Sequence, residues 1–278
     1  MSVKALRTQL IAAIAMLLVA SLALGSSTYA WFSMNTTVTA KGMQVKAKAE
    51  GGIVISNSAK STWGAEANST LTTVTEMLPT STSNLTNWYH GTSTDPSNAN
   101  ASTSSYANGA ASISLKNAGG LGYFDADDDD TKDDNEDVYY LVTNYYIKST
   151  TAQALQTPLY IKSVNVSTTT SATTALNGAL RVAVKYGDNF YIYGSTASST
   201  LAYYVGNQSS NQTTIYRYDA SNTQINGVTS VANTDNGATL VQIYAWYEGE
   251  DTSCLSNNIA GLTPDTLSIE VQFSTTNS

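Results

Sequence analysis

The sequence predicts an all-β protein, namely a sandwich, a jelly roll or a related β-barrel, with loop-rich insertions and few short helices. Many short runs alternate apolar and polar residues with a period of two, as half-buried strands do. Clusters of Gly, Asn, Asp and Ser separate these runs, and amphipathic helical periodicity is almost absent. Many of the 18 tyrosines fall within the alternating runs, which indicates that most of the C-terminal half folds around a core.

The first 30 residues have the outline of a signal peptide. Lys4 and Arg7 precede an uncharged apolar run over residues 10–24, and small and polar residues follow it. The run has 15 residues, whereas a membrane-spanning helix needs about 20, so a permanent anchor is the weaker interpretation. We expect cleavage between Ala30 and Trp31. The membrane is then a partner only before cleavage, and the mature chain is secreted.

The composition of the mature chain limits its partners. Removal of Lys4 and Arg7 with the signal peptide takes the formal charge from −8, by two units, to −10. Such an acidic chain repels nucleic-acid phosphates, so we expect no nucleic-acid partner. Charged residues make up 12% of the chain, and Ser, Thr, Asn and Gly take their place, as in exported β-proteins, fibre subunits and adhesins. The single cysteine, Cys254, excludes a disulfide framework within the chain.

Residues 31–50 form the first extended segment of the mature chain. Apolar residues alternate there with polar ones, which predicts a half-buried strand. Gly51 and Gly52 interrupt the pattern, and a short apolar strand over residues 53–55 follows. The predicted core-facing residues of this segment are Met43, Val45, Ala47 and Ala49.

Residues 51–278 are predicted to form a β-sandwich domain with a Ser/Thr/Asn-rich insertion at about 57–110. Within the insertion we expect one short helix around residues 70–77, ended by Pro79, and otherwise loop, with Trp88 and Tyr89 as anchors onto the core. The best hairpin signal is the Gly187-Asp188 turn. Further strands are predicted at residues 111–115, 138–147, 159–166, 179–186, 190–193, 213–218, 239–246 and 267–273.

An acidic loop at residues 125–137 is the most conspicuous local motif. Its carboxylates fall at positions one, three, five, nine and twelve of a twelve-residue calcium loop. The match is incomplete because position six, which needs Gly for a sharp turn, is Asp130, and no helix is predicted on either side. Calcium is therefore a candidate cofactor, and a solvated acidic loop is the alternative. The candidate ligands are Asp125, Asp127, Asp129, Asp133 and Glu136.

The histidine count argues against catalysis. His90 is the one histidine of the chain, so a zinc site with two histidines one helical turn apart cannot form. A hydrolase triad would have to use this residue, which we expect in a loop, and the chain has no nucleophile-elbow pattern. We therefore predict no active site and no enzymatic activity.

The segment Gly25-Ser26-Ser27-Thr28-Tyr29-Ala30-Trp31-Phe32 resembles the end of signal peptides that a dedicated, SipW-type signal peptidase of Gram-positive bacteria processes. Such signals occur in the TasA/camelysin group of biofilm-matrix proteins. About 25 residues carry the resemblance, and the remainder is similar only in being acidic and β-rich. The resemblance implies a jelly-roll-like subunit of an extracellular fibre or biofilm matrix. Such a subunit polymerises with itself, and other matrix proteins are further candidate partners.

The resemblance also implies assembly by β-strand addition, in which the N-terminal strand of one subunit enters its neighbour. The segment 31–50 fits this role on its own pattern, because it is extended, alternating and free of proline. Its groove-filling side chains would be those of Met43, Val45, Ala47 and Ala49. The alternative is that the strand pairs within its own subunit. Two rival functions remain. One is a monomeric cell-surface adhesin or carbohydrate-binding module that stacks sugars on exposed residues such as Trp63 and Trp88, and the other is a secreted peptidase.

Overall fold

Two packed β-sheets and a separate two-stranded hairpin make up the described part of the protein. The computed structural model describes Met16 and residues 43–57, 59–71, 77–82, 84–91, 110–129, 131–133, 136–168, 178–195, 215–218, 222–249 and 267–277. The predicted all-β sandwich is confirmed. No helix in the described residues is long and apolar enough to cross a membrane. The predicted signal peptide lies outside the described residues except for Met16.

The strands are β1 (Met43–Glu50), β2 (Ile53–Asn57), β3 (Glu66–Leu71), β4 (Trp88–Gly91), β5 (Ala110–Ile113), β6 (Lys116–Ala118), β7 (Leu121–Tyr123), β8 (Val138–Ser149), β9 (Tyr160–Thr168), β10 (Leu180–Tyr186), β11 (Asn189–Gly194), β12 (Ile215–Arg217), β13 (Thr223–Gln224), β14 (Thr239–Tyr247) and β15 (Leu267–Ser274).

The smaller sheet has five strands in the order β13-β9-β15-β1-β3. Its neighbours are antiparallel except for β1 and β15, which run parallel. β1 thus lies inside this sheet, between β15 and β3. The outer faces of β1 and β15 carry charged and amide side chains, as expected for a sheet with one solvated face.

The larger sheet has eight strands in the order β12-β11-β10-β14-β8-β7-β6, with β2 also paired to β8. β7 pairs with the first residues of β8, and β2 pairs with its last residues, so the two short strands share one edge of the long one. β10 and β11 form the predicted hairpin, and Gly187 adopts the left-handed φ of 55° that its turn requires.

The main core lies between the two sheets. β1, β9 and β15 supply alternate residues from the smaller sheet, and β2, β8, β10, β11 and β14 supply them from the larger one. Fully buried members include Ala47, Val164, Val271, Tyr145, Ile147, Val182 and Ile243.

A second apolar layer covers part of the outer face of the larger sheet. The hairpin of β4 and β5 packs there, with Trp88 stacked on Tyr140 at 4.4 Å and edge-on to Trp246 at 5.7 Å. Alternation therefore puts Tyr244 and Trp246 in the outer layer and Ile243 in the main core. This layer makes β8 and β14 apolar on both faces.

Two predictions within the insertion are wrong. Residues 66–71 form β3 rather than loop followed by helix, because they complete the ladder along β1; residues 72–76 of the predicted helix lie outside the described residues. His90 lies in β4 rather than in a loop. The role of Trp88 as an anchor is confirmed, since its side chain is 3% exposed.

Candidate functional site

The slot that holds β1 is the candidate site for assembly. β1 pairs over seven positions with β15, from Gln44 with Ser268 to Glu50 with Ser274. On its other side it pairs over six positions with β3. Both edges of β1 are therefore occupied by backbone ladders, and its removal would leave two open strand edges next to each other.

The inner face of β1 is small and completely enclosed. Val45, Ala47 and Ala49 are 1%, 0% and 8% exposed, so the predicted core-facing alternation is confirmed for these three residues. Met43 begins the strand, and its side chain is not among those that the structure describes. The hydroxyl of Tyr145 donates a hydrogen bond of 2.6 Å to the carbonyl oxygen of Val45 across the core. Two of the three enclosed side chains are single methyl groups.

The outer face of β1 carries an alternating set of ion pairs. Lys46 Nζ lies 2.7 Å from Glu66 Oε2 on β3, and Lys48 Nζ lies 2.8 Å from Glu270 Oε2 on β15. Glu50 accepts hydrogen bonds from Lys162 on β9 and from Gln272 on β15. These pairs join β1 to three other strands of the sheet.

The pKa values follow from these pairs. The ammonium group of Lys46 lowers the pKa of Glu66, chiefly through their hydrogen bond. The hydrogen bond to Glu270 is likewise the main cause of the raised pKa of Lys48. Both shifts favour the charged forms, which the ion pairs need.

Gly51 and Gly52 connect β1 to β2 in the opposite sheet. Their φ angles are 76° and 81°, a left-handed conformation that favours glycine. Thr275, after β15, donates to the carbonyl oxygen of Gly51, and Thr150, after β8, donates through its amide to that of Gly52 at 2.9 Å. This turn is the covalent link between β1 and the remainder of the described domain.

In the single chain, β1 occupies its own slot. This arrangement is the alternative that the sequence left open beside donation. A groove for the strand therefore exists, and the chain itself fills it. Donation concerns two copies of the chain and stays a prediction.

The acidic loop connects β7 to β8 and brings three of the five predicted ligands together. Ligand atoms of Asp125, Asp127 and Glu136 lie within 4.8 Å of one another. Asp129 and Asp133 do not belong to this trio, although their charges contribute to a raised pKa of Asp127, with Asp129 the largest cause. The loop thus brings together positions one, three and twelve of the calcium pattern. Positions five and nine, Asp129 and Asp133, are not part of this group.

Protein groups already hold this loop in place. Glu136 accepts backbone hydrogen bonds from Ala126 and Asp133, each 2.9 Å long. Asp125 Oδ1 accepts one of 2.7 Å from the amide of Asp128, and Lys116 Nζ lies 3.6 Å from Asp128 Oδ1. Exposed carboxylates often cluster without a metal ion, so calcium binding stays a prediction.

The aromatic residues named for sugar binding do not form an exposed line among the described residues. Trp88 is buried, and Trp63 is half-buried with the Lys148 ammonium 4.2 Å from its ring centroid. Tyr146 is covered in the same way by Lys60, at 4.0 Å. Such cation–π contacts stabilise the sheet surface and occupy ring faces that a sugar would need.

Of the remaining predicted residues, the structure describes only His90. Ala30 and Trp31, at the expected cleavage point, and Cys254 are outside the described residues. The backbone of His90 pairs with Ala111 in the β4–β5 hairpin. The prediction that the chain lacks an active site therefore stays a prediction.

Sequence reasoning missed the charged partners of β1. Glu66 lies in the insertion predicted as loop, and Lys162 lies on a strand that contacts β1 only across β15. The alternation of charge along β1 was visible, but nothing in the sequence indicates which strands lie beside it.

No protein family, curated protein or solved structure matches this chain.

Proposed function

We propose that the chain is a structural subunit of an extracellular fibre or biofilm matrix that assembles by β-strand addition. In this proposal the β1 strand of one copy fills the slot between β3 and β15 of the next copy. The observation that carries it is the position of β1, an interior strand joined to the remainder of the described domain by the Gly51-Gly52 turn. The predicted export signal and the family resemblance support an extracellular location.

Strand exchange has a low net cost at this position. A neighbour's β1 would restore the same two ladders and the same enclosed methyl groups that the chain's own strand provides. The free-energy difference between the two arrangements then depends mainly on the Gly51-Gly52 turn and on protein concentration. Glycine adopts both left-handed and extended conformations easily, so this turn can open without steric strain.

An incoming strand also covers the edges that β1 leaves open when it departs. A chain whose β1 has left its slot presents the backbone groups of β3 and β15 and the apolar strip beneath them, which favours association with another strand. In the proposed assembly each incoming copy fills one slot and leaves its own for the next, and the chain of contacts stays open when the rotation between copies does not close a ring. Heterologous contacts of this kind build filaments.

The adhesin alternative has less support from the described residues. Burial of Trp88 and Trp246 and the lysines over Trp63 and Tyr146 leave few ring faces for sugar stacking. For the peptidase alternative, the described residues provide no second histidine. Both alternatives would be favoured by a mature chain that stays monomeric at every concentration.

Electron microscopy of the mature chain tests the proposal. The chain from Trp31 onward should form filaments, and a variant lacking residues 31–49 should not. Because the deletion also removes part of the core, a peptide of residues 31–50 is added to the wild-type chain in a second arm. The peptide should fill slots and shorten filaments, whereas the same peptide with Ala47→Asp should have no effect. Undiminished filaments from the deletion variant would contradict the proposal.

A further inference from the structure

The inner face of β1 specifies its register only weakly. A slip of one residue would turn the charged face toward the core and is excluded. A slip of two residues keeps the faces correct. In the backward direction it places Ala47 where Val45 lies, Ala49 where Ala47 lies and Gly51 where Ala49 lies, so two of the three enclosed positions receive a smaller residue and none receives a larger one. The backward register therefore creates no steric clash on the inner face, whereas the forward register would place Val45 in the fully buried site of Ala47.

The outer face of β1 discriminates between these registers much more strongly than the inner face does. A backward slip of two residues would place Glu50 in the position of Lys48, beside Glu66 and Glu270. A forward slip would place Lys48 in the position of Glu50, beside Lys162. Either slip brings like charges together across neighbouring strands, which is destabilising. The order Lys-x-Lys-x-Glu along β1 matches its surroundings in one register.

We infer that Lys46, Lys48 and Glu50 determine which strand the slot accepts, and in which register, so that its partner is a second copy of this chain. The inference rests on the proposed function and adds a basis for recognition between subunits. On the slot, Glu66 and Glu270 are the charge partners of the two lysines, and Lys162 is the charge partner of Glu50. The side chains of these pairs are partly exposed, so each pair contributes modestly, and the set acts together.

A charge-exchange experiment separates recognition between chains from pairing within one chain. The strand variant carries Lys46→Glu and Lys48→Glu, and the slot variant carries Glu66→Lys and Glu270→Lys. Within either variant, strand and slot repel. In an equimolar mixture every junction between unlike copies is matched, because the altered strand meets the altered slot and the native strand meets the native slot. A variant with all four changes is matched throughout.

We expect each variant alone to form filaments about tenfold more slowly than the wild-type chain, from several weakened ion pairs together. The mixture and the fourfold variant should recover most of the rate. Lys185→Glu, which lies on β10 of the other sheet, is the matched control for the charge change of Lys48→Glu and should leave assembly unchanged. Thermal melting of each monomer checks that it folds.

Three results would overturn the inference. If the strand variant alone forms filaments like the wild-type chain, these charges do not select the strand, although assembly by strand addition would stand. If the fourfold variant recovers and the mixture does not, the pairs act only within one chain. If the wild-type chain forms no filaments under any condition, the proposed function fails, and the inference fails with it.

Discussion

β1 and β8 are both interior strands, yet they are built in opposite ways. β8 has 12 residues, and its first six are buried on both faces, by the main core and by the layer under the β4–β5 hairpin. β1 has 8 residues, encloses one valine and two alanines on its inner face, and presents charges on the other. An interior position in a sheet therefore does not by itself determine how much apolar surface a strand buries.

In the proposed function, the difference separates a scaffold, β8, from an element that copies exchange, β1. Burial stabilises by roughly 25 cal/mol per Å² of apolar surface, so the tyrosines, leucine and isoleucine of β8 contribute far more than the methyl groups of β1. β1 is held mainly by ladders and ion pairs, and in the proposed assembly a neighbouring copy would supply the same ones. The proposed function requires that such a strand leaves its slot while the second sheet remains folded.

Truncation of the two inner faces gives the largest expected contrast. Ile147→Ala on β8 should lower the free energy of unfolding by about 2–5 kcal/mol, because it leaves a cavity at a fully buried position. Ala47→Gly on β1 should lower it by about 1 kcal/mol. Urea denaturation measures both. Equal losses would show that β1 is as much a part of the scaffold as β8.

Gly122→Ala tests the packing of the outer layer on β8. A Cβ at this position would lie 2.1 Å from Cε1 of Tyr140, whose ring is stacked on Trp88. We expect overpacking to lower the free energy of unfolding by about 1–3 kcal/mol. The double variant Gly122→Ala with Tyr140→Leu should lose less than the sum of the two single variants. Additive losses would mean that the contact between Gly122 and Tyr140 does not limit the packing.

The parts of the fold that the sequence predicts are those where burial is one-sided and local. The hairpin at Gly187 follows from a two-residue turn signal, and the alternation of Val45, Ala47 and Ala49 follows from period two. β3 was missed because it is a polar edge strand whose order comes from pairing with β1.

The candidate slot was harder to predict than the strand that fills it. Parallel pairing of β1 with β15 joins residues more than 200 positions apart, and no local pattern indicates it. Likewise, the spacing of the acidic loop suggested five ligands, whereas the backbone brings three of them within 4.8 Å of one another. Local pattern thus identifies the residues, and long-range pairing decides which of them meet.

Alkaline pH should destabilise the core between the sheets, including the contact that the Tyr145 hydroxyl makes with β1. Burial raises the pKa of Tyr139 to about 12 and raises that of Tyr145 further above its usual value. The neutral phenol is therefore favoured in the folded state, and this stability is fully present below pH 10 and is lost as the pH rises toward 12. Tyr145→Phe should reduce the loss by about 1 kcal/mol per pH unit in that range. If the free energy of unfolding of this variant falls with pH as steeply as that of the wild-type chain, the result would contradict the burial of the Tyr145 hydroxyl.

Calcium should have the smallest effect on stability, because the loop is already held by Glu136 and Lys116. If the predicted site binds, calcium near its dissociation constant should stabilise the chain by less than about 1 kcal/mol. Asp125→Asn with Glu136→Gln should abolish the shift in melting temperature. Absence of a shift at millimolar calcium in the wild-type chain would end the calcium prediction.

Disulfide trapping across the slot tests most directly whether β1 is exchanged between copies. Gln44 on β1 and Thr70 on β3 are antiparallel register partners, a geometry that brings two Cβ atoms close enough for a disulfide. A chain with Gln44→Cys, Thr70→Cys and Cys254→Ser is assembled and then oxidised. Gel electrophoresis without reductant should show a ladder of covalent oligomers from filaments. A single monomer band from oxidised filaments would show that β1 stays in its own chain, and would contradict assembly by strand addition.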